Sequence, residues 1–213
     1  MIDYYNARAH DYEEIYHRDN PDQQRELSLI ADELRRLFRN RRVLEIACGT
    51  GYWTAAVAHD VESIVATDFA DDALEIARTK NLPGDRVRFL KSDACTLGGV
   101  SGQFDGGFAN FWLSHVPHDR ISGFLANFHA KLVPGARIFF ADNMYVEGLG
   151  GVLEVKEGES DTYKRRRLKD GREYLVLKNY YCEGQLKKLF QPFTDDMVVN
   201  AGDYYWIVSY EIR

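Results

Sequence analysis

Apolar and polar positions along the chain switch between two periods. From Arg25 to Phe38 the apolar residues Leu27, Ile30, Leu34, Leu37 and Phe38 fall on one helical face, and basic residues gather toward the C-terminal end of that helix. A short run, Val43–Ala47, apolar except for Glu45, then enters a glycine turn. Helical spacing returns over Trp53–His59, the next strand-like run is Ser63–Thr67, and Asp71–Lys80 reads as a helix, acidic at its start and basic at its end. Val87–Leu90, Phe104–Phe108 and Arg137–Ala141 complete five short strands. A helix from about Asp119 to Leu132 precedes the last of them, with a stop at Pro134-Gly135. Short strands separated by helices predict a parallel sheet with crossovers, a doubly wound α/β fold.

After residue 146 the pattern changes. Glu147–Ser160 is glycine-rich and acidic and predicts a mobile loop. Thr162–Leu168 and Arg172–Tyr180 flank Lys169-Asp170-Gly171, a hairpin turn signal. A short helix near Glu183–Phe190 leads to two final strands, Met197–Asn200 and Tyr204–Ile212, around Ala201-Gly202-Asp203. The expectation is one domain, 1–213, on a mixed seven-stranded Rossmann-like sheet, parallel with an antiparallel C-terminal strand. Residues 1–24 are expected to form a lid, and 144–182 an insertion whose β-hairpin covers the ligand side.

Composition narrows the function classes. The 213 residues are 45% hydrophobic and 28% charged, which excludes fibrous and disordered readings. A net charge of −6 is opposite to what phosphate backbones attract, so no nucleic-acid partner is expected. Cys48, Cys95 and Cys182 have neither metal-ligand nor redox-motif spacing and point to reduced thiols in a cytoplasm. The N-terminus lacks a signal-peptide core, and no apolar run approaches the roughly 18 residues of a membrane span. A cytoplasmic monomer or homodimer without membrane contact is expected. The aromatic share, 13%, mildly favours a pocket for something flat.

The strongest signal is Val43-Leu44-Glu45-Ile46-Ala47-Cys48-Gly49-Thr50-Gly51: a hydrophobic strand running into a glycine turn that opens a helix and brings a ligand close to backbone N–H groups. The dinucleotide fingerprint is unmet, with Thr54 where a third glycine belongs, and no Gly-Lys-Ser/Thr follows for a phosphate loop. A carboxylate at Glu45 repels a pyrophosphate and suits an ammonium. The ligand suggested is therefore nucleoside-like, phosphate-free and positive at one end. Asp68 ends the second strand, where a carboxylate grips ribose hydroxyls, and Asp93 ends the third, within reach of an exocyclic adenine amine. Each alone is explained as well by a helix N-cap; three acidic residues in order, one associated with each of the first three strands, are harder to assign to chance.

At these residues the chain resembles the class I S-adenosylmethionine-dependent methyltransferases. The matching pieces are VLEIACGTG at 43–51, VATD at 65–68, KSDA at 91–94, FDGGFANFWLSHVP at 104–117 and LVPGARIFFADN at 132–143. The resemblance extends to the ubiquinone/menaquinone-biosynthesis-type branch that acts on small molecules. It implies S-adenosylmethionine as cofactor, with Glu45, Ala47, Gly49 and Gly51 around the methionine part, Asp68 at the ribose, Asp93 and Ala94 at the adenine, and Thr50 and Phe69 also among the cofactor-binding residues. Asn110 would meet the methionine amine through its carbonyl. Ala47 stands where many relatives have glycine.

The loop Asn110-Phe111-Trp112-Leu113 lacks the paired prolines of DNA amino-methyltransferases, no Pro-Cys dipeptide serves a cytosine C5 nucleophile, and the paired-glutamate loop of protein arginine enzymes is absent. A small, flat, aromatic acceptor is expected, walled by Tyr12, Tyr16, Phe111, Trp112 and Tyr145. Tyr5, Tyr12 and Tyr16 share a helical face, either as an aromatic cap over the ligands or as an ordinary packed helix edge. Lys164-Arg165-Arg166-Arg167 alternates faces on a strand, either as a solvated basic edge or as a dock for an acidic substrate. His115 is the candidate catalytic base, or else a histidine that braces its loop. No metal is expected, although Asn110, Asp142 and Asn143 faintly resemble the Mg²⁺ position of catechol O-methyltransferases. Two function classes stand: a methyltransferase, or a protein of the same fold that binds the cofactor without transfer.

Overall fold

The computed structural model describes residues 2–213. Seven strands form one sheet: β1 (Arg42–Ile46), β2 (Ser63–Asp68), β3 (Val87–Lys91), β4 (Phe104–Asn110), β5 (Leu132–Asn143), β9 (Met197–Ala201) and β10 (Tyr205–Glu211). Their order is β3-β2-β1-β4-β5-β10-β9. All pairings from β3 to β5 are parallel, and β10 is inserted antiparallel between β5 and β9. Successive strands are added outward in one direction from β1 to β3 and in the other from β4, so the crevice beyond the carboxyl ends of β1 and β4 is the natural ligand position.

Helices cover both faces. The α2 helix (Pro21–Phe38) starts at Asn20, whose side chain accepts from the Gln23 N–H at 3.1 Å, with Pro21 pre-set for the first turn. Its stripe Leu27, Ile30, Leu34 and Phe38 is buried against the sheet, as the spacing predicts. Two glycines in β4 bring a helix close on each face. A Cβ on Gly106 would lie 2.7 Å from the Phe38 ring, and one on Gly107 would lie 2.7 Å from the Phe128 ring of α5 (Ile121–His129). Phe38 also stacks on Phe108 at 5.4 Å, so the glycine pair sets how deeply α2 seats.

The structure departs from the pattern in three places. The segment read as a mobile loop contains β6 (Val152–Val155), paired antiparallel to β7 (Thr162–Arg167), which pairs in turn with β8 (Glu173–Leu177). The stretch Val-Leu-Glu-Val has strand chemistry, and β7 offers it an edge. Pro134-Gly135 does not stop β5. The strand begins at Leu132 and absorbs the pair in a bulge, with Gly135 at φ +80°. The N-terminal segment is helical only from Ile2 to Arg8 (α1), then narrows to a 3₁₀ stretch, Ala9–Tyr16. The tyrosines still align: ring centroids lie 6.0 Å apart for Tyr5–Tyr12 and 6.1 Å for Tyr12–Tyr16. Among the described residues no helix is long and apolar enough to cross a membrane.

Candidate functional site

The glycine turn between β1 and α3 (Tyr52–Val57) is held by the sheet itself. Cys48 N–H donates to the Thr67 carbonyl at 2.8 Å and Gly49 N–H to the Asp68 carboxylate at 2.8 Å. Ala47, Gly49 and Gly51 all have positive φ, at 54°, 54° and 77°. At Ala47 this conformation stores strain of roughly 1–2 kcal/mol that glycine would avoid. The two glycines serve different needs. A Cβ on Gly49 would meet nothing within 4 Å, because this residue faces a cavity. A Cβ on Gly51 would meet Ala77 of α4 (Asp71–Thr79) at 3.1 Å, so that glycine packs one helix on another.

That cavity lies beyond β1, β2, β3 and β4 and brings together Ala47, Gly49, Thr50, Asp68, Phe69, Asp93, Ala94 and Asn110, eight of the ten residues anticipated for a cofactor. Glu45 and Gly51 stand outside its wall. Glu45 is 2% exposed beneath the turn, with its Oε2 accepting from the Thr54 hydroxyl at 2.6 Å. Burial raises its pKa to about 8, so at neutral pH it is mostly a neutral acid here rather than the carboxylate expected from the sequence. Both aspartates also act as braces: Asp68 Oδ1 accepts from Ala70 N–H, and Asp93 Oδ1 from the N–H groups of Cys95 and Thr96. Asn110 is 6% exposed, and neither its amide oxygen nor its nitrogen has a partner in the protein. A buried amide without a partner in a cavity wall calls for an explanation, and a ligand in that cavity would supply one.

A second cavity adjoins the first and shares Tyr5, Tyr12, Tyr16, Phe111 and His115 with it. Its remaining wall comes from α1, from Ile15, Arg18 and Gln23, from residues 143–150, from β7 and the residues just after β8, and from Tyr205 of β10. Of the anticipated acceptor residues, Tyr12, Tyr16 and Phe111 border both cavities and Trp112 borders the first. Tyr145 lies outside both: it is 48% exposed, packed edge-on against Tyr180 and beneath the Lys164 ammonium. The aromatic walls also spend much of their surface on one another. Tyr16 stacks on Tyr52 at 4.0 Å, and Trp53 on Phe111 at 5.8 Å.

His115 closes the 3₁₀ turn Leu113–His115 after β4 and is 8% exposed. Its Nδ1 lies 2.7 Å from the Leu177 carbonyl, which only accepts, so Nδ1 carries the proton and donates. Nε2 therefore accepts from the Tyr5 hydroxyl, 2.9 Å away. Burial first, then the Lys178 charge, lower the imidazole to about 3, while burial raises the Tyr5 phenol and keeps it a donor.

Lys178, just after β8, was not evident from the sequence. It is 3% exposed, and its Nζ donates to Ser114 Oγ (2.6 Å), Asp142 Oδ1 (2.9 Å) and Asn143 Oδ1 (2.8 Å). Ser114 N–H donates to the other Asp142 oxygen at 2.9 Å. The ammonium beside Asp142 and these hydrogen bonds hold its carboxyl below the usual range despite burial. This ammonium stands on an oxygen of Asp142 and on that of Asn143, two of the three residues a catechol-type metal would need. Among the described residues no three His, Cys, Asp or Glu side chains cluster as a metal site. Residues from β4, β5 and the hairpin meet here only in three dimensions, so no local signal announces the network.

Comparison with known proteins agrees with this geometry. A family model described as "Methyltransferase domain" matches residues 43–135. A demethylmenaquinone methyltransferase from Clavibacter sepedonicus is 35% identical over 101 residues, 47% of this chain and 40% of that protein. The O-methyltransferase rstn1 of Aspergillus nomiae is 29% identical over 58% of this chain and 59% of its own. The chain thus matches about half the length of these curated relatives. Among solved structures, DhpI superimposes with a TM-score of 0.78 both as a complex with SAH (25% identity, 98% of this chain and 93% of that one) and as a complex with SAM and HEP (26% identity, 97% and 94%). With the sheet order, the glycine turn and the matched segments in agreement, the chain has the fold of the class I S-adenosylmethionine-dependent methyltransferases and is similar to them over residues 43–135.

Proposed function

We propose that this protein moves a methyl group from S-adenosylmethionine to a small molecule held between the N-terminal segment and residues 144–182. The observation that carries the reading is the pair of adjoining cavities, whose shared border is Tyr5, Tyr12, Tyr16, Phe111 and His115. One cavity has the glycine turn and the two strand-end aspartates; the other has room for an acceptor and lies at the place where a methyl would arrive.

The cofactor supplies a methyl on a sulfonium, whose carbon–sulfur bond breaks as the bond to the acceptor forms. The chain's own contribution is positioning and exclusion of water. Asp68 presents a carboxylate to a diol while bracing the Gly49 N–H. Asn110 supplies an unpartnered amide. His115, neutral and with its Nε2 lone pair on the border, accepts a hydrogen bond from Tyr5 or from an acceptor that displaces it. The tyrosines form a lid, and the aromatic border favours a flat acceptor.

Calorimetry tests the first half: S-adenosylmethionine or its demethylated product binds in the micromolar range and a nicotinamide dinucleotide does not. Asp68→Ala weakens binding by about 1–3 kcal/mol, the scale for an unpaired buried polar group. Binding of the dinucleotide alone would overturn the reading. Tight cofactor binding with no transfer to any of a broad panel of small acceptors would leave a binding protein of the same fold.

A further inference from the structure

The acceptor cavity has a pronounced charge. Arg8 of α1, Arg18 after the 3₁₀ stretch, Arg166 of β7 and Lys178 after β8 all line it, and no Asp or Glu does. None of the three arginines forms an ion pair with a described carboxylate. Arg8 donates to the Tyr4 hydroxyl at 2.7 Å and lies over the rings of Tyr4 and Tyr12. Arg166 rests against Gly150, where a Cβ would fall 2.5 Å from its Nη1. The alternation along β7 explains the selection: Lys164 and Arg166 turn inward, while Arg165 and Arg167 are exposed, and Arg165 pairs with Glu154. The cations repel one another, since Arg8 and Arg166 each contribute to lowering the Arg18 guanidinium beneath its ordinary value, after burial. Three half-buried guanidinium groups from three chain segments, in a protein of net charge −6, are costly to assemble unless something negative binds among them.

We infer that the acceptor carries an oxyanion, a carboxylate or a phosphoryl group, and that Arg166 with Arg8 and Arg18 holds it in the second cavity. This rests on the proposal that the cavity takes the acceptor, and it names the acceptor's chemical class. Planar guanidinium forks suit both kinds of oxyanion through paired N–H donors. None of the three arginines lines the cofactor cavity, so the carboxylate of S-adenosylmethionine is not their expected partner.

The test uses the protein saturated with S-adenosylhomocysteine and titrates inorganic phosphate and, separately, acetate, with sodium chloride at matched ionic strength as control. At least one of the two anions raises the melting temperature beyond the chloride control, and which one does so separates a phosphoryl from a carboxylate acceptor. Arg166→Gln and, independently, Arg18→Gln weaken that anion's binding tenfold or more, while Arg165→Gln, on the outward face of the same strand, does not. Affinity for S-adenosylhomocysteine stays within twofold in all three. The inference is overturned if neither anion exceeds chloride, if Arg166→Gln and Arg18→Gln both leave anion binding intact, or if they weaken the nucleoside ligand tenfold, which would assign the arginines to the cofactor. Failure of S-adenosylhomocysteine to bind the unaltered protein would instead sink the function proposed above.

Discussion

At the scale of single residues, His115 separates two kinds of contribution to methyl transfer. A general base works near its pKa and contributes by removing a proton as the bond forms. His115 is instead buried, donates from Nδ1 to a carbonyl, and is pushed down to about 3 by burial and by Lys178. Its neutral form prevails across the physiological range, so its use is to accept one hydrogen bond at Nε2. Replacing it with alanine should lower kcat/KM by about three- to tenfold, the scale of one neutral hydrogen bond, with cofactor affinity unchanged. Because kcat/KM reports the free enzyme's ionisations, the ratio of wild type to His115→Ala should be constant from pH 5 to 8. A ratio that collapses toward one below pH 6.5 would restore the histidine as a base of ordinary pKa. The residue was legible in the sequence from its place after the fourth strand. Its protonation was not, because that depends on Leu177 and Lys178 arriving from the hairpin.

At the scale of elements, the N-terminal segment is joined to the body by a few polar clasps and the tyrosine column. Glu13 accepts from Thr50 of the glycine turn at 2.7 Å and from Lys80 at 2.8 Å, Tyr5 donates to His115, and Lys169 at the hairpin tip reaches Asp11 and Glu14. Exposed pairs such as those of Lys169 are each worth about 0–1 kcal/mol. A segment held this way opens far more readily than the sheet beneath it. Amide exchange in residues 2–18 should therefore be fast in the ligand-free protein and slow at least tenfold when S-adenosylmethionine binds, with the sheet unchanged. Lys169→Ala should speed it without altering the rest. Exchange that is equally slow with and without ligand would make the segment a fixed wall. The strands and their crossovers were readable because apolar spacing alone dictates them, and the glycine turn because its backbone needs positive φ. β6 was not, since four residues become a strand only when β7 offers an edge, and the inward turn of Lys164 and Arg166 was legible only as an alternation whose direction remained open.

At the scale of the molecule, buried titratable groups with opposite shifts set how stability follows pH. Burial lowers His115 to about 3 and His129 to about 4, so the fold keeps both neutral while the unfolded chain protonates them near 6.5. The unfolded state then binds more protons in acid, and stability is lost as pH falls below about 6.5. Glu45 has the opposite sign. Its folded value of about 8 against an ordinary 4.5 means that between those values the folded chain keeps a proton the unfolded chain has released, so stability falls as pH rises through that window. Below 6.5 two histidines outweigh one carboxyl, and from 6.5 to 8 Glu45 acts alone among the three. Asp142, held low with its lysine, adds stability that is lost only in stronger acid. The ligand-free protein should thus be most stable near pH 6–7 and lose on the order of a few kcal/mol toward pH 8.5. Glu45→Gln keeps the shape of the neutral acid beside Thr54 and removes its titration. Urea unfolding of that variant should show a steeper acid limb between 4.5 and 6.5, where Glu45 no longer opposes the histidines, and should abolish most of the alkaline fall. A wild-type curve that is level from pH 6.5 to 8.5 and unmoved by the substitution would mean that Glu45 is ionised beneath the glycine turn, as the sequence pattern first suggests, with its charge compensated by groups other than Thr54.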